Sequence, residues 1–145
     1  MTHVIEHNPA HAGSDLNAVI VDPLENGEWD SLVTRFPDAT AFHTSAWARV
    51  LARTYRHKPL YLRFERAGQP VALVPLMEVR SAVTGARGVC LPFTDSSAPL
   101  ISDLRFEGAI AAQLIEAAAD RQWKYAELRG SASGRFPHAT TAASY

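Results

Sequence analysis

The chain has a single cysteine, two methionines and no long apolar run. A lone Cys90 excludes an intrachain disulfide framework and fits a reducing compartment. Nothing approaches the ~18 consecutive apolar residues of a membrane span. The first residues, Met1-Thr-His-Val-Ile-Glu-His, lack the basic start and apolar centre of a secretory signal. A cytoplasmic protein with no membrane partner is therefore expected. Fourteen Lys and Arg against fifteen Asp and Glu give a formal charge of −1, so there is no direct nucleic-acid signature in the totals. The 145 residues suffice for about one domain, with an apolar fraction ordinary for a globular core.

The stretch Gly88-Val-Cys-Leu-Pro-Phe-Thr-Asp-Ser-Ser-Ala-Pro-Leu100 draws attention first. Val89-Cys90-Leu91 has the look of a buried strand, and it opens at Pro92 into a polar loop bounded by Pro99. Rigid strands that open into polar loops are common supports for functional groups. Asp95 is the carboxylate of interest, flanked by Thr94, Ser96 and Ser97. Burial would raise its pKa and make it a base; an Asx-turn that satisfies local backbone N–H groups is the plainer alternative.

Around that stretch the chain divides by pattern. Residues 1–17 are polar and aperiodic, a disordered leader by expectation. His3, His7 and His11 share a helical spacing there, but Asn8-Pro9 and Gly13 argue against a helix and so against a metal site. Ala18–Val21 predicts a strand, and Asp22-Pro23 a helix start. Trp29, Leu32, Val33 and Phe36 follow at helical spacing, and Pro37 stops the element. A second helix starts at Thr44 or Ser45, with Trp47, Val50, Leu51 and Thr54 on its apolar side. Its other side carries Arg49, Arg53 and Arg56, continuing to His57 and Lys58. Arginine binds phosphate or carboxylate bidentately, although most helical charge faces are simply solvated, and cations near a helix C-terminus also suit its dipole.

Residues 60–65 and 70–79 predict a hairpin turning at Gly68, with Pro75 marking a bulge or an edge. Residues 81–88 connect to a third, antiparallel strand at 89–91. Ser102 or Asp103 caps a long helix to about Gln122, with Phe106, Ile110, Leu114 and Ala117 inward, supported by Ala111, Ile115 and Ala118. A strand at 124–129 follows. A helix of that length between two strands predicts a right-handed crossover, so the strands at 89–91 and 124–129 should run parallel as neighbours or nearly so. The expected class is mixed α/β (α+β), in the order β-α-α-β-β-β-α-β. Residues 131–145 predict a flexible tail.

Other chemistry is scarce. Cys90 sits in an apolar strand with no local base and is expected to be a small hydrophobe. Gly130-Ser-Ala-Ser-Gly134 has Ala132 where a nucleophile elbow needs serine. It also lacks the lysine and following helix of a phosphate loop. There is no zinc-ligand spacing and no dinucleotide fingerprint.

Taken in order, Phe42-His43-Thr44-Ser45-Ala46-Trp47, Gly68, Val74-Pro75-Leu76, Leu91-Pro92-Phe93-Thr94-Asp95, Ala98-Pro99-Leu100 and Glu127-Leu128-Arg129 resemble the N-terminal half of Fem-type transferases. These belong to the GNAT (acyl-CoA N-acyltransferase) superfamily, and the FemAB-related acetyltransferases are the branch most similar. The resemblance spans about residues 18–130. It implies an acceptor-side GNAT-like unit that helps transfer an acyl or aminoacyl group to a small-molecule amine. It also implies a second unit beyond this chain, holding most of the site for an acyl-CoA or aminoacyl-tRNA donor. Thr94, Asp95 and Ser96 would line the acceptor cleft, while Arg49, Arg53 and Arg129 would contact anions. The pyrophosphate motif that should open the long helix is missing, so no cofactor is expected on this chain. Leu51 stands where bridge-forming relatives tend to carry lysine. The alternatives are a non-catalytic module that binds a partner or forms a homodimer through an exposed sheet edge, and an inactive truncated fragment.

Overall fold

The computed structural model describes residues 3–4, 15–90, 98–128 and 140–142, with only the backbone described for the first and last of these. It is a mixed α/β fold with three α-helices and two five-stranded sheets among the described residues. Most of the first 17 and last 15 residues lie outside that set, His7 and His11 included.

The first sheet begins with β1 (His3–Val4) against β2 (Leu16–Val21), two residues longer at its start than Ala18–Val21 suggested. β2 pairs with β4 (Tyr61–Arg66), β4 with β5 (Gln69–Val74), and β5 with the two-residue β8 (Leu100–Ile101), all antiparallel. The second sheet runs from β3 (Lys58–Pro59) through β6 (Leu76–Ser81) and β7 (Gly85–Cys90) to β9 (Tyr125–Glu127) and β10 (Thr140–Ala142). β7 and β9 are parallel, with Gly88 opposite Ala126 and Val89 opposite Glu127, as the crossover argument requires. β6 and β7 form the expected antiparallel hairpin, though β7 starts at Gly85, leaving only residues 82–84 as the turn.

The apolar run 70–79 is not one strand. Pro75 has no N–H to give to a ladder, and the chain changes sheet there, from β5 to β6. Leu60 does the same between β3 and β4, and its N–H donates to the carbonyl of Leu76 at 2.9 Å. One long hairpin thus belongs to both sheets. Its turn, Ala67-Gly68, has positive φ at both residues (48° and 74°), the twist that suits a two-residue connection.

The helices differ from expectation in extent and in facing. Asp22-Pro23 starts a turn, closed by Asn26 N–H on the Asp22 carbonyl, because Asn26-Gly27 interrupts before a helix can propagate. α1 covers only Trp29–Val33, yet Trp29, Leu32, Val33 and Phe36 are all buried as their spacing indicated. α2 is Ser45–Tyr55; no side chain of its own caps it. Instead Asp30 of α1 accepts from Ser45 N–H at 2.7 Å and from the Ser45 hydroxyl at 2.6 Å. The buried face of α2 is Ala48 and Leu51, while Val50 is 45% exposed, so the helix is rotated from the Trp47–Val50–Leu51–Thr54 face. α3 (Glu107–Asp120) follows a short 3-10 turn, Leu104–Phe106, capped by Asp103. Ile110, Leu114, Ala117 and Ala118 are inward, but Ile115 is half-exposed.

Two apolar clusters fill the space on either side of the sheets. Ile110, Leu114 and Ala118 of α3 pack on Leu62 and Phe64 of the first sheet and on Leu76, Ala86 and Cys90 of the second. Trp29, Leu32, Ala48 and Leu51 pack on Val19, Tyr61 and Leu73 of the first and on Met77 of the second. This is a three-layer arrangement, with α1 and α2 on one face and α3 on the other. No helix among the described residues is long and apolar enough to cross a membrane.

Candidate functional site

In sheets with parallel strands, ligands gather at the carboxyl ends, where loops diverge. Here those ends are Cys90 of β7 and Glu127 of β9, neighbours by register. Thr94, Asp95 and Ser96 follow Cys90 in sequence, and Arg129 follows β9; all four lie outside the described residues. The other two expected site residues, Arg49 and Arg53, are exposed on the solvent face of α2.

The described chain resumes at Ala98, where one residue holds it. His43, 2% exposed, donates from Nε2 to the Ala98 carbonyl at 2.8 Å. Its Nδ1 accepts the Thr40 backbone N–H at 3.0 Å, and a backbone amide can only donate, so His43 is the neutral Nε2–H tautomer. The backbone carbonyl of His43 accepts from Trp29 Nε1 at 2.9 Å. Trp29 in turn lies edge-on to Tyr61, with ring centroids 5.1 Å apart. A continuous set of contacts therefore runs from Ala98 through His43 and Trp29 to Tyr61.

Tyr61 is fully buried, and its hydroxyl has no hydrogen-bond partner among the described residues. Burial first, then the neighbouring Cys90 and Asp22, push the phenol well above its ordinary pKa. It is therefore a neutral hydroxyl, able to donate and accept, on the α1 and α2 side of the sheets. The indole N–H of Trp47 is likewise buried and unpartnered, on the same side of the sheet, and its ring packs edge-on against Phe42. Buried orphans cost about 1–3 kcal/mol each and are uncommon in native structures, so each calls for an explanation. Cys90 is completely buried.

Tyr61→Phe tests what that hydroxyl does in the free protein. Removing an unsatisfied buried group should stabilise the fold by about 1 kcal/mol, roughly 3 °C in melting midpoint. A lower midpoint in a thermal melt would mean that the hydroxyl already has a partner.

A second constellation lies on the opposite face. Glu78 of β6, 4% exposed, accepts from Trp123 Nε1 at 2.7 Å and from Arg80 Nε at 2.9 Å; Arg121 Nε is 3.9 Å away. Burial alone would raise the carboxyl's pKa, but the bonds from Trp123 and Arg80 and the charges of Arg121 and Arg80 outweigh it and hold it below the usual range. Each Glu78 oxygen accepts a structural hydrogen bond, and the cluster ties the α3–β9 crossover to the sheet. There is also an open groove of about 890 Å³ lined by Arg66, Val71, Ser102, Asp103, Arg105 and Phe106. Its Arg105 is bound at 2.6 and 2.8 Å to Asp103, and its Arg66 lies over Phe106.

Sequence reasoning passed over Tyr61 and Glu78. The available signal was a polar atom inside an apolar run, in Leu60-Tyr-Leu62 and in Leu76-Met-Glu-Val79. No family model, curated protein or solved structure matches the chain.

Proposed function

We propose that this chain is the acceptor-side, GNAT-like unit of a FemAB-related acyl or aminoacyl transferase acting on an amine. The reading is supported by the spatial succession of residues 16–21, 61–66, 69–81, 85–90 and 125–127. In it, early antiparallel strands are followed by one parallel pair joined through a long helix, with α1 and α2 on the opposite face. The observation that carries it is the buried Tyr61 hydroxyl, which has no hydrogen-bond partner among the described residues and feels Cys90, the last residue of β7, after which Thr94, Asp95 and Ser96 follow in sequence.

In this reading the acceptor amine is held at the strand ends. Its nitrogen bonds to the acyl carbon of the donor, the thioester C–S or ester C–O bond breaks, and the amine proton passes to a base. Asp95 is the assigned carboxylate, Tyr61 supplies a fixed hydroxyl at the floor, and His43 positions the returning strand through Ala98. The donor, acyl-CoA or aminoacyl-tRNA, belongs to a second unit.

Amide-resolved NMR titration tests the proposal. Primary amines, among them lysine-ended peptides and amino sugars, should shift the amides of Tyr61, Cys90 and Ala98, and Tyr61→Phe should weaken that binding roughly 5- to 10-fold, the worth of one hydrogen bond. Acetyl-CoA should leave the spectrum unchanged. Tight acetyl-CoA binding, or no response to any amine, would overturn the assignment of an acceptor-side unit.

A further inference from the structure

The net charge of −1 conceals a segregation. Between Asp38 and Glu65 there is no acidic residue, while Arg49, Arg53, Arg56, Lys58 and Arg63 all fall there. Folding gathers three of these on one surface, while Lys58 stands opposite Glu78 in the register of the second sheet. Arg49, Arg53 and Arg56 are spaced four and three residues apart, which aligns them along the solvent side of α2, opposite Leu51 and Ala48. Arg56 ends the helix in the left-handed conformation (φ 56°), and Lys58 follows on the edge strand β3. Arg87 of β7 lies close enough to His57 to lower its pKa, after the larger effect of burial.

Among the described residues no carboxylate pairs with Arg49, Arg53 or Arg56. Among the described residues the ion pairs are Arg63–Glu65, Arg66–Asp15, Arg80–Glu78, Arg105–Asp103 and Arg121–Glu78, and none involves Arg49, Arg53, Arg56 or Lys58. Mutual repulsion in such a stripe favours an anionic partner, and the helix dipole accounts only for the cations in the last turn. The second observation is aromatic. Tyr55 and His57 stack with centroids 5.7 Å apart and planes at 22°, and Tyr55 is 46% exposed, a flat ring beside the arginines.

We propose that the Arg49–Arg53–Arg56 stripe, with Arg87 and the Tyr55–His57 stack, binds a single-stranded nucleic acid. The arginines contact successive phosphates, and an unpaired base continues the stack. The stack distinguishes this ligand from an acidic peptide or a lipid headgroup, which offer charge but no flat π-face. A duplex hides its faces and is excluded on the same ground. The surface is also separate from the strand-end site. α2 is anchored beside His43 at its first turn, and the stripe runs away from that anchor, from about 6 Å along the helix at Arg49 to about 16 Å at Arg56. The inference does not depend on the transferase reading.

Fluorescence anisotropy of the full chain with a labelled 12-nucleotide single-stranded RNA, and with DNA of the same sequence, tests it. If all four cations engage, log affinity should fall against log salt with a slope of about −2.8, and Arg49→Gln/Arg53→Gln/Arg56→Gln should reduce that slope by about 2. Tyr55→Leu, which keeps apolar bulk and removes the ring, should weaken binding roughly 5- to 150-fold. Arg105→Gln, on a different surface, should leave it within twofold, and a thermal melt checks that each variant is folded. Binding of either strand type with both losses supports the assignment. No binding at 50 mM salt, a Tyr55→Leu variant that binds as wild type, equal affinity for a duplex, or stronger arginine-dependent binding to phosphatidylserine vesicles would each overturn it.

Discussion

Gly88→Ala is expected to be among the most destabilising single-methyl changes in this protein, lowering stability by about 3 kcal/mol and the melting midpoint by about 10 °C. A Cβ at Gly88 would stand 2.2 Å from Cζ3, 2.6 Å from Cε3 and 2.8 Å from Cη2 of Trp123. Neither side can give easily. Gly88 lies in β7 between two paired strands, opposite Glu78 on one side and Ala126 on the other. Trp123 is 2% exposed and held by its bond to Glu78. The ring must leave, so the substitution costs most of what burying it gained and also strips a partner from a buried carboxylate. Trp123→Leu alone should be destabilising, yet in the Gly88→Ala background it should add little, because the ring is already displaced. Circular-dichroism melts of the two singles and the double measure this. A Gly88→Ala protein melting within 1 °C of wild type, or strictly additive losses, would refute the packing argument.

The class of fold was legible because its signals were local and strong. α3 has an unbroken inward face, Gly68 marks a two-residue turn, and a helix of α3's length between two strands leaves few topologies, of which the parallel β7–β9 pair is one. The errors came where tertiary context decides. In the run 70–79 nothing in the pattern announces that Pro75 separates two sheets, because both halves are buried and apolar. The facing of α2 turned on Ala48, too small to register as a core residue, and on Asp30, which caps it from another helix. Strands of two residues, such as β3 and β8, carry no periodicity at all. Tyr61 was visible only as one more apolar letter, since the missing partner of its hydroxyl is a three-dimensional fact. The basic stripe shows the opposite difficulty. Its residues were plain in the sequence, but only the folded chain shows that no carboxylate among the described residues answers them.

The second large effect concerns Glu78, and it should depend on pH. Glu78→Ala should destabilise by about 3–5 kcal/mol at pH 7, because the buried Trp123 N–H loses its acceptor and the Arg121 guanidinium, whose Nε makes no hydrogen bond, loses its nearest counter-charge. The sign of the pH dependence follows from the carboxyl's lowered folded pKa. Above the unfolded value of about 4.3 the full stabilisation is present. As pH falls, the unfolded chain takes up the proton first, and the contribution shrinks through the folded pKa until nothing is left. The stability gap between wild type and Glu78→Gln, from urea unfolding in a descending pH series, should therefore be constant near neutrality and close in acid. A gap that stayed constant or widened would show that Glu78 is not the ionised centre of this cluster. Removing both members separates charge from shape. Glu78→Met with Trp123→Phe leaves neither an orphaned acceptor nor an orphaned indole, and should cost clearly less than Glu78→Ala alone. That ordering would identify the cluster as a lock whose strength lies in the penalty for opening half of it.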